Sequence, residues 1–84
     1  MISPFYSHYK LRSKLFILKT NICDADKVNV LKPFLDNHVD IIKWNIDIED
    51  VDNVLKIETT KSLSEIVIIK QVKAFGFTCD VLED

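Results

Sequence analysis

Apolar positions along the chain fall into short segments whose period switches between two and about three and a half. Leu15-Phe-Ile-Leu-Lys-Thr-Asn-Ile22 is short, apolar and bounded by polar residues, which predicts a strand. Phe16, Leu18, Thr20 and Ile22 share one face of it. Leu15, Ile17, Lys19 and Asn21 share the other, where apolar character fades along the strand. Val28, Leu31, Phe34 and Leu35 then recur at helical spacing. Asp24 or Asp26 serves as the N-cap, because a short carboxylate accepts hydrogen bonds from the unpaired amides of a first turn. Pro33 falls inside this pattern, where it removes a hydrogen bond at a cost of ~3 kcal/mol; it predicts a kink or a helix restarting there. His38 closes the segment.

Ile41-Ile-Lys-Trp-Asn-Ile-Asp47 alternates, with Ile42, Trp44 and Ile46 facing one way and Lys43, Asn45 and Asp47 the other, as in a half-buried strand. Ile48-Glu-Asp-Val-Asp-Asn53 reads as an acidic turn, and Val54–Thr59 as a strand with Leu55 and Ile57 on one face. Ser62-Leu-Ser-Glu65 matches a capping box ahead of a second helix, along which Leu63, Ile66, Val67, Ile69 or Lys70, and Ala74 follow. Gly76 suits the left-handed turn at its end, and Phe77–Leu82 is a last short strand. The order β-α-β-β-α-β predicts an α+β, ferredoxin-like sandwich: a four-stranded antiparallel sheet with both helices on one face.

A chain of 84 residues with one Gly and two Pro is a single domain with short loops and no flexible linker. Charge divides unevenly along it. Residues 1–14 hold Lys10, Arg12 and Lys14 and no acid, whereas residues 15–84 hold eight bases and thirteen acids. The body therefore repels nucleic acid on average, and no nucleic-acid partner is expected. Residues 1–14 read as an N-terminal arm and 15–84 as the domain. The arm lacks the continuous apolar core of a signal peptide, and no apolar run approaches the length that spans a bilayer, so no membrane partner is expected. Cys23 and Cys79 make no disulfide framework, which fits a reducing, cytoplasmic compartment.

Several of these residues, in this order, resemble the heavy-metal-associated domain family, and most nearly its small stand-alone bacterial type. They are Lys19-Thr-Asn-Ile22, Val28 with Pro33-Phe34-Leu35, Lys43-Trp-Asn-Ile-Asp47, and Val72-Lys-Ala-Phe-Gly-Phe77. The likeness covers residues 15–84. It implies a βαββαβ fold and a soft metal held by a Cys-x-x-Cys pair in the loop after the first strand, since thiolates suit Cu(I) or Zn(II). Those two positions fall here on Asp24, a hard oxygen donor, and Lys27, an ammonium. Cys23 lies one residue too early. The metal-binding loop is thus degenerate at the residues that define it.

Two functional expectations follow. The first is a non-catalytic, protein-interaction or regulatory module without a cofactor, partnered by another protein or by itself as a homodimer through exposed sheet edges. The second is a copper or zinc binding or transport protein using an altered site around Cys23 and Cys79, which the fold brings to the same end of the sheet. Other candidates carry less. His8 and His38 lack a second ligand at useful spacing. Asp47, Glu49, Asp50 and Asp52 lack the glycine and terminal glutamate of a calcium loop and read as a solvated turn. Phe16 and Trp44 read as core rather than as an RNA-stacking platform. No nucleophile–base–acid set or phosphate loop is visible, so no enzyme is expected.

Overall fold

A computed structural model describes residues 13–82; residues 1–12 of the arm, including His8, lie outside the described residues, and its last two, Ser13 and Lys14, open the first strand. The elements run β1 (Ser13–Thr20), α1 (Ala25–Asn37), β2 (Ile41–Asp47), β3 (Val54–Thr60), α2 (Glu65–Ala74) and β4 (Cys79–Val81). They form one four-stranded sheet in the order β2-β3-β1-β4, with every neighbouring pair antiparallel. This is the ferredoxin-like sandwich that the element order predicts. Among the described residues, no helix is long and apolar enough to cross a membrane.

The two central strands supply most of the sheet's share of the core. Phe16, Leu18 and Thr20 of β1 and Leu55, Ile57 and Thr59 of β3 are buried at alternate positions, as the period of two requires. Leu31 and Leu35 of α1 and Ile68, Ile69 and Val72 of α2 pack onto that face. Ile22 is fully buried although β1 has already ended, so the loop after β1 is pinned to the core at its start.

Local details depart from the sequence pattern where tertiary packing overrides it. The pairing of β2 with β3 slips between Ile41 and Lys43. This bulge puts Ile41, rather than Ile42, on the covered face with Trp44 and Ile46, and leaves Ile42 exposed. Pro33 stays inside a continuous α1 and does not restart it. The capping box at Ser62 does not form: α2 begins at Glu65 with Ser64 as N-cap, and no side-chain cap bond is made. Leu63 is instead drawn into the core, and Ile66, Val67 and Ala74 face outward. Gly76 takes a φ of +97°, the left-handed conformation expected after the helix.

Candidate functional site: the loop between β1 and α1

The loop is built by three anchors and one cap. Thr20 donates its hydroxyl to the Asn53 carbonyl at 2.7 Å, and the same oxygen accepts the Ile22 amide at 3.1 Å. The Thr20 amide reaches the Asp52 carbonyl at 3.0 Å, so the end of β1 is tied to the turn between β2 and β3. The Asn21 carboxamide oxygen accepts the Thr78 amide at 2.9 Å, tying the loop to the approach to β4. Ile22 is the apolar anchor.

Asp24 then caps α1. Its backbone is extended, and its Oδ1 accepts the Lys27 amide at 2.8 Å, satisfying one of the orphan donors of the first turn. Asp24, not Asp26, is the cap because its position lets the side chain reach back over the N3 amide. Asp26 lies within the first turn, where it offsets the helix's positive end. The Lys27 ammonium swings back along the same turn. It lies 3.0 Å from Asp24 Oδ2 and 3.6 Å from Cys23 Sγ. Amide and ammonium of Lys27 together hold the Asp24 carboxyl below its ordinary value. The Asp24 carboxylate, with a smaller contribution from Cys23, raises the Lys27 ammonium.

The two cysteines differ sharply in environment. Cys23 is exposed, immediately before the cap. Cys79 stands opposite Thr20 at the start of β4 and is fully buried in the core cluster. Burial pushes its thiol up to about 11, with the nearby Asp80 carboxylate adding to the rise. Both lie toward the end of the sheet where β1 stops, one facing solvent and one facing the core. Asp24 and Lys27, which stand where the resemblance puts a cysteine pair, are bound to each other.

The other candidates are placed as follows. His38 caps the end of α1, its Nδ1 accepting the Asp40 amide at 3.1 Å, and its ring lies edge-on to Phe34. Asp47 Oδ1 accepts the amides of Glu49 and Asp50, and Asp50 Oδ1 accepts that of Asp52. These carboxylates hold their own turn, which ends at Asn53 with a positive φ of 43°. Among the described residues no group of three or more His, Cys, Asp or Glu is gathered for a metal ion. Phe16 is buried, and Trp44 lies on the covered face with its indole N–H donating to Asp36 Oδ1 at 2.8 Å. The Lys27–Cys23 contact was the feature least accessible from sequence. The spacing of four residues was its one signal, and it became a contact only because Cys23 leads directly into the helix.

No model of a known protein family matches the sequence, and no curated protein matches it. Among solved structures, one titled "CsoZ metallochaperone" superposes with a TM-score of 0.69 at 17% identity, over 81% of this chain and 97% of its own length. At that identity the likeness establishes a shared fold: a small ferredoxin-like domain of the type that metallochaperone adopts.

Proposed function

We propose that this chain carries a soft metal, Cu(I) or Zn(II), as cargo at the loop between β1 and α1, through the thiol of Cys23. The observation that carries this reading is the position of Cys23: exposed, beside the amide-rich start of a helix, on a fold shared with a metallochaperone over nearly all of the latter's length. Thiolate sulfur is a soft ligand and the form in which cysteine binds such metals. Cys79 is ill-suited as the second donor, since a buried thiol held near 11 stays protonated at neutral pH. The second donor then comes from outside the chain, as a partner protein's cysteine or a small thiol. Such a shared site suits a carrier, because cargo moves by exchange of one thiolate for another.

The test is titration with Cu(I) in the presence of glutathione, followed by native mass spectrometry. One metal per chain is expected, lost in Cys23→Ser and kept in Cys79→Ser. Absence of an adduct, or an adduct that survives Cys23→Ser, would falsify the reading. A comparison with Asp24→Cys/Lys27→Cys sets the scale, because that double variant restores the two-thiolate pair and should bind more tightly than the native chain.

A second reading draws on the Lys27 ammonium, which lies against both Cys23 Sγ and Asp24 Oδ2 and so closes the loop without a metal. On that reading the domain is a non-catalytic interaction module. The same titration separates the two: the restored variant would bind metal and the native chain would not.

A further inference from the structure

The sheet order leaves β2 at a margin, with its outer main-chain donors and acceptors facing away from β3. An edge of this kind pairs with any strand that fits it, and proteins commonly blunt it with a bulge or a lysine. Both devices occur in β2, the bulge between Ile41 and Lys43 and the side chain of Lys43 itself. The bulge lies at the start of the strand, however, and leaves Lys43–Asp47 in regular register. The lysine has its counter-charge four residues along the same strand, at Asp47.

That spacing makes β2 complementary to itself. Two identical antiparallel strands are related by a two-fold axis. An axis through Asn45 sets Lys43 opposite Asp47 of the second copy, Trp44 opposite Ile46, and Asn45 opposite Asn45. The pairing keeps parity, so residues whose amides point away from β3 meet their own kind and each side chain stays on its face. Two symmetry-related ion pairs form on the open face, and two aromatic–aliphatic pairs form on the helix-covered face, both favourable cross-strand combinations. Moving the axis to Trp44 sets Asp47 opposite Ile41 and Lys43 opposite Asn45. Moving it to Ile46 sends Lys43 to Glu49, beyond the strand. The register about Asn45 matches charge and apolar surface together. Lys43 is available for it: the side chain is 79% exposed, and its contact with Glu58 is long, at 3.7 Å.

We infer that β2 is a self-association edge, at which a second copy of this chain pairs antiparallel about Asn45 to continue the sheet across the dimer. β1 and β2 each run antiparallel to β3 and so run the same way, which places the Cys23 loop at the Asp47 end of the sheet. The two-fold axis therefore carries the two Cys23 loops to opposite ends of the joint sheet. The dimer does not bring the thiols together, and its formation is independent of metal.

Sedimentation velocity over a concentration series, without metal and with reductant, tests this. The native chain should show a monomer–dimer equilibrium. Lys43→Asp should weaken it by about tenfold or more, because two attractive pairs become repulsive. Asp47→Lys should do the same, and an equimolar mixture of the two variants should regain the dimer, since each then supplies the charge the other lacks. Zero-length carbodiimide coupling of the native chain should yield a Lys43–Asp47 amide between chains, identified by peptide mapping, and this readout is independent of whether Asp47→Lys retains its turn. A native chain that stays monomeric at hundreds of micromolar would overturn the inference. So would a dimer indifferent to Lys43→Asp, or one whose carbodiimide products omit this pair.

Discussion

Asp24 performs two tasks with one carboxylate, accepting the Lys27 amide through Oδ1 and the Lys27 ammonium through Oδ2. Only the first contributes much to stability, since an exposed ion pair at a helix start is worth little. Asp24→Ala should lower stability by about 1 kcal/mol in urea unfolding, as loss of an N-cap does, and Asp24→Asn should recover most of that. The pH dependence follows from the lowered carboxyl. The favourable contribution is present above the ordinary value of 3.8 and is lost as pH falls through the depressed folded value, so Asp24→Asn should flatten the acid limb. Cys79 works in the opposite direction. Its folded thiol is raised from 9.0 to about 11, so the folded state holds a proton that the unfolded chain has released. This contribution is constant below pH 9 and is lost as pH rises toward 11, by about 2 to 3 kcal/mol. The difference between native and Cys79→Ala unfolding free energies, measured across that range, isolates this contribution.

At the scale of elements, α1 tolerates a proline that its own hydrogen bonding disfavours. Pro33 leaves the Asn29 carbonyl without its usual helical donor, and the helix nevertheless runs on to Asn37, whose side-chain amide donates back to the Pro33 carbonyl at 2.8 Å. The buried Leu31 and Leu35 on either side hold the turn in place. Pro33→Ala should therefore stabilise the protein, on the order of 1 to 3 kcal/mol in thermal or urea unfolding, by restoring the missing bond. β2 shows the complementary case, in which a strand with a regular sequence acquires an irregular register. Six apolar and polar positions alternate without a break, but the chain enters from α1 through His38 and Asp40, whose carbonyl and carboxylate are bound to the Ile41 amide and the Thr60 hydroxyl. Those bonds fix where the strand starts, and the bulge absorbs the mismatch.

At the scale of the molecule, one core serves the whole described chain. Ile57 stands at its centre, paired in register with Phe16 on one side and Trp44 on the other, and is fully buried. Ile57→Ala should cost about 2 to 5 kcal/mol, as cavity-forming substitutions do, and should shift a single cooperative transition rather than split it. The loop that carries Cys23 is attached to this core through Ile22 and to both neighbouring connections through Thr20 and Asn21. Its geometry thus belongs to the scaffold, with Asp24 and Lys27 bound to each other at its helix end.

The sequence by itself determined the element order, the fold and the inward faces of β1 and β3, because period and capping chemistry are local and strong there. It also located the connection between the first strand and the first helix, with Asp24 among its cap candidates. The tertiary structure decided what local rules leave degenerate. Asp24 and Asp26 are equal as cap residues until the backbone selects one. Ser62-Leu-Ser-Glu65 satisfies a capping motif, but burying Leu63 gains more than a cap bond, so α2 starts later. Ile66-Val-Ile-Ile69 is apolar throughout and has no period to read, so only packing chose Ile68 and Ile69 for the core. The contrast between Cys23 and Cys79, one in solvent and one sealed among apolar side chains, likewise depends on long-range pairing of β4 with β1, which no local spacing encodes.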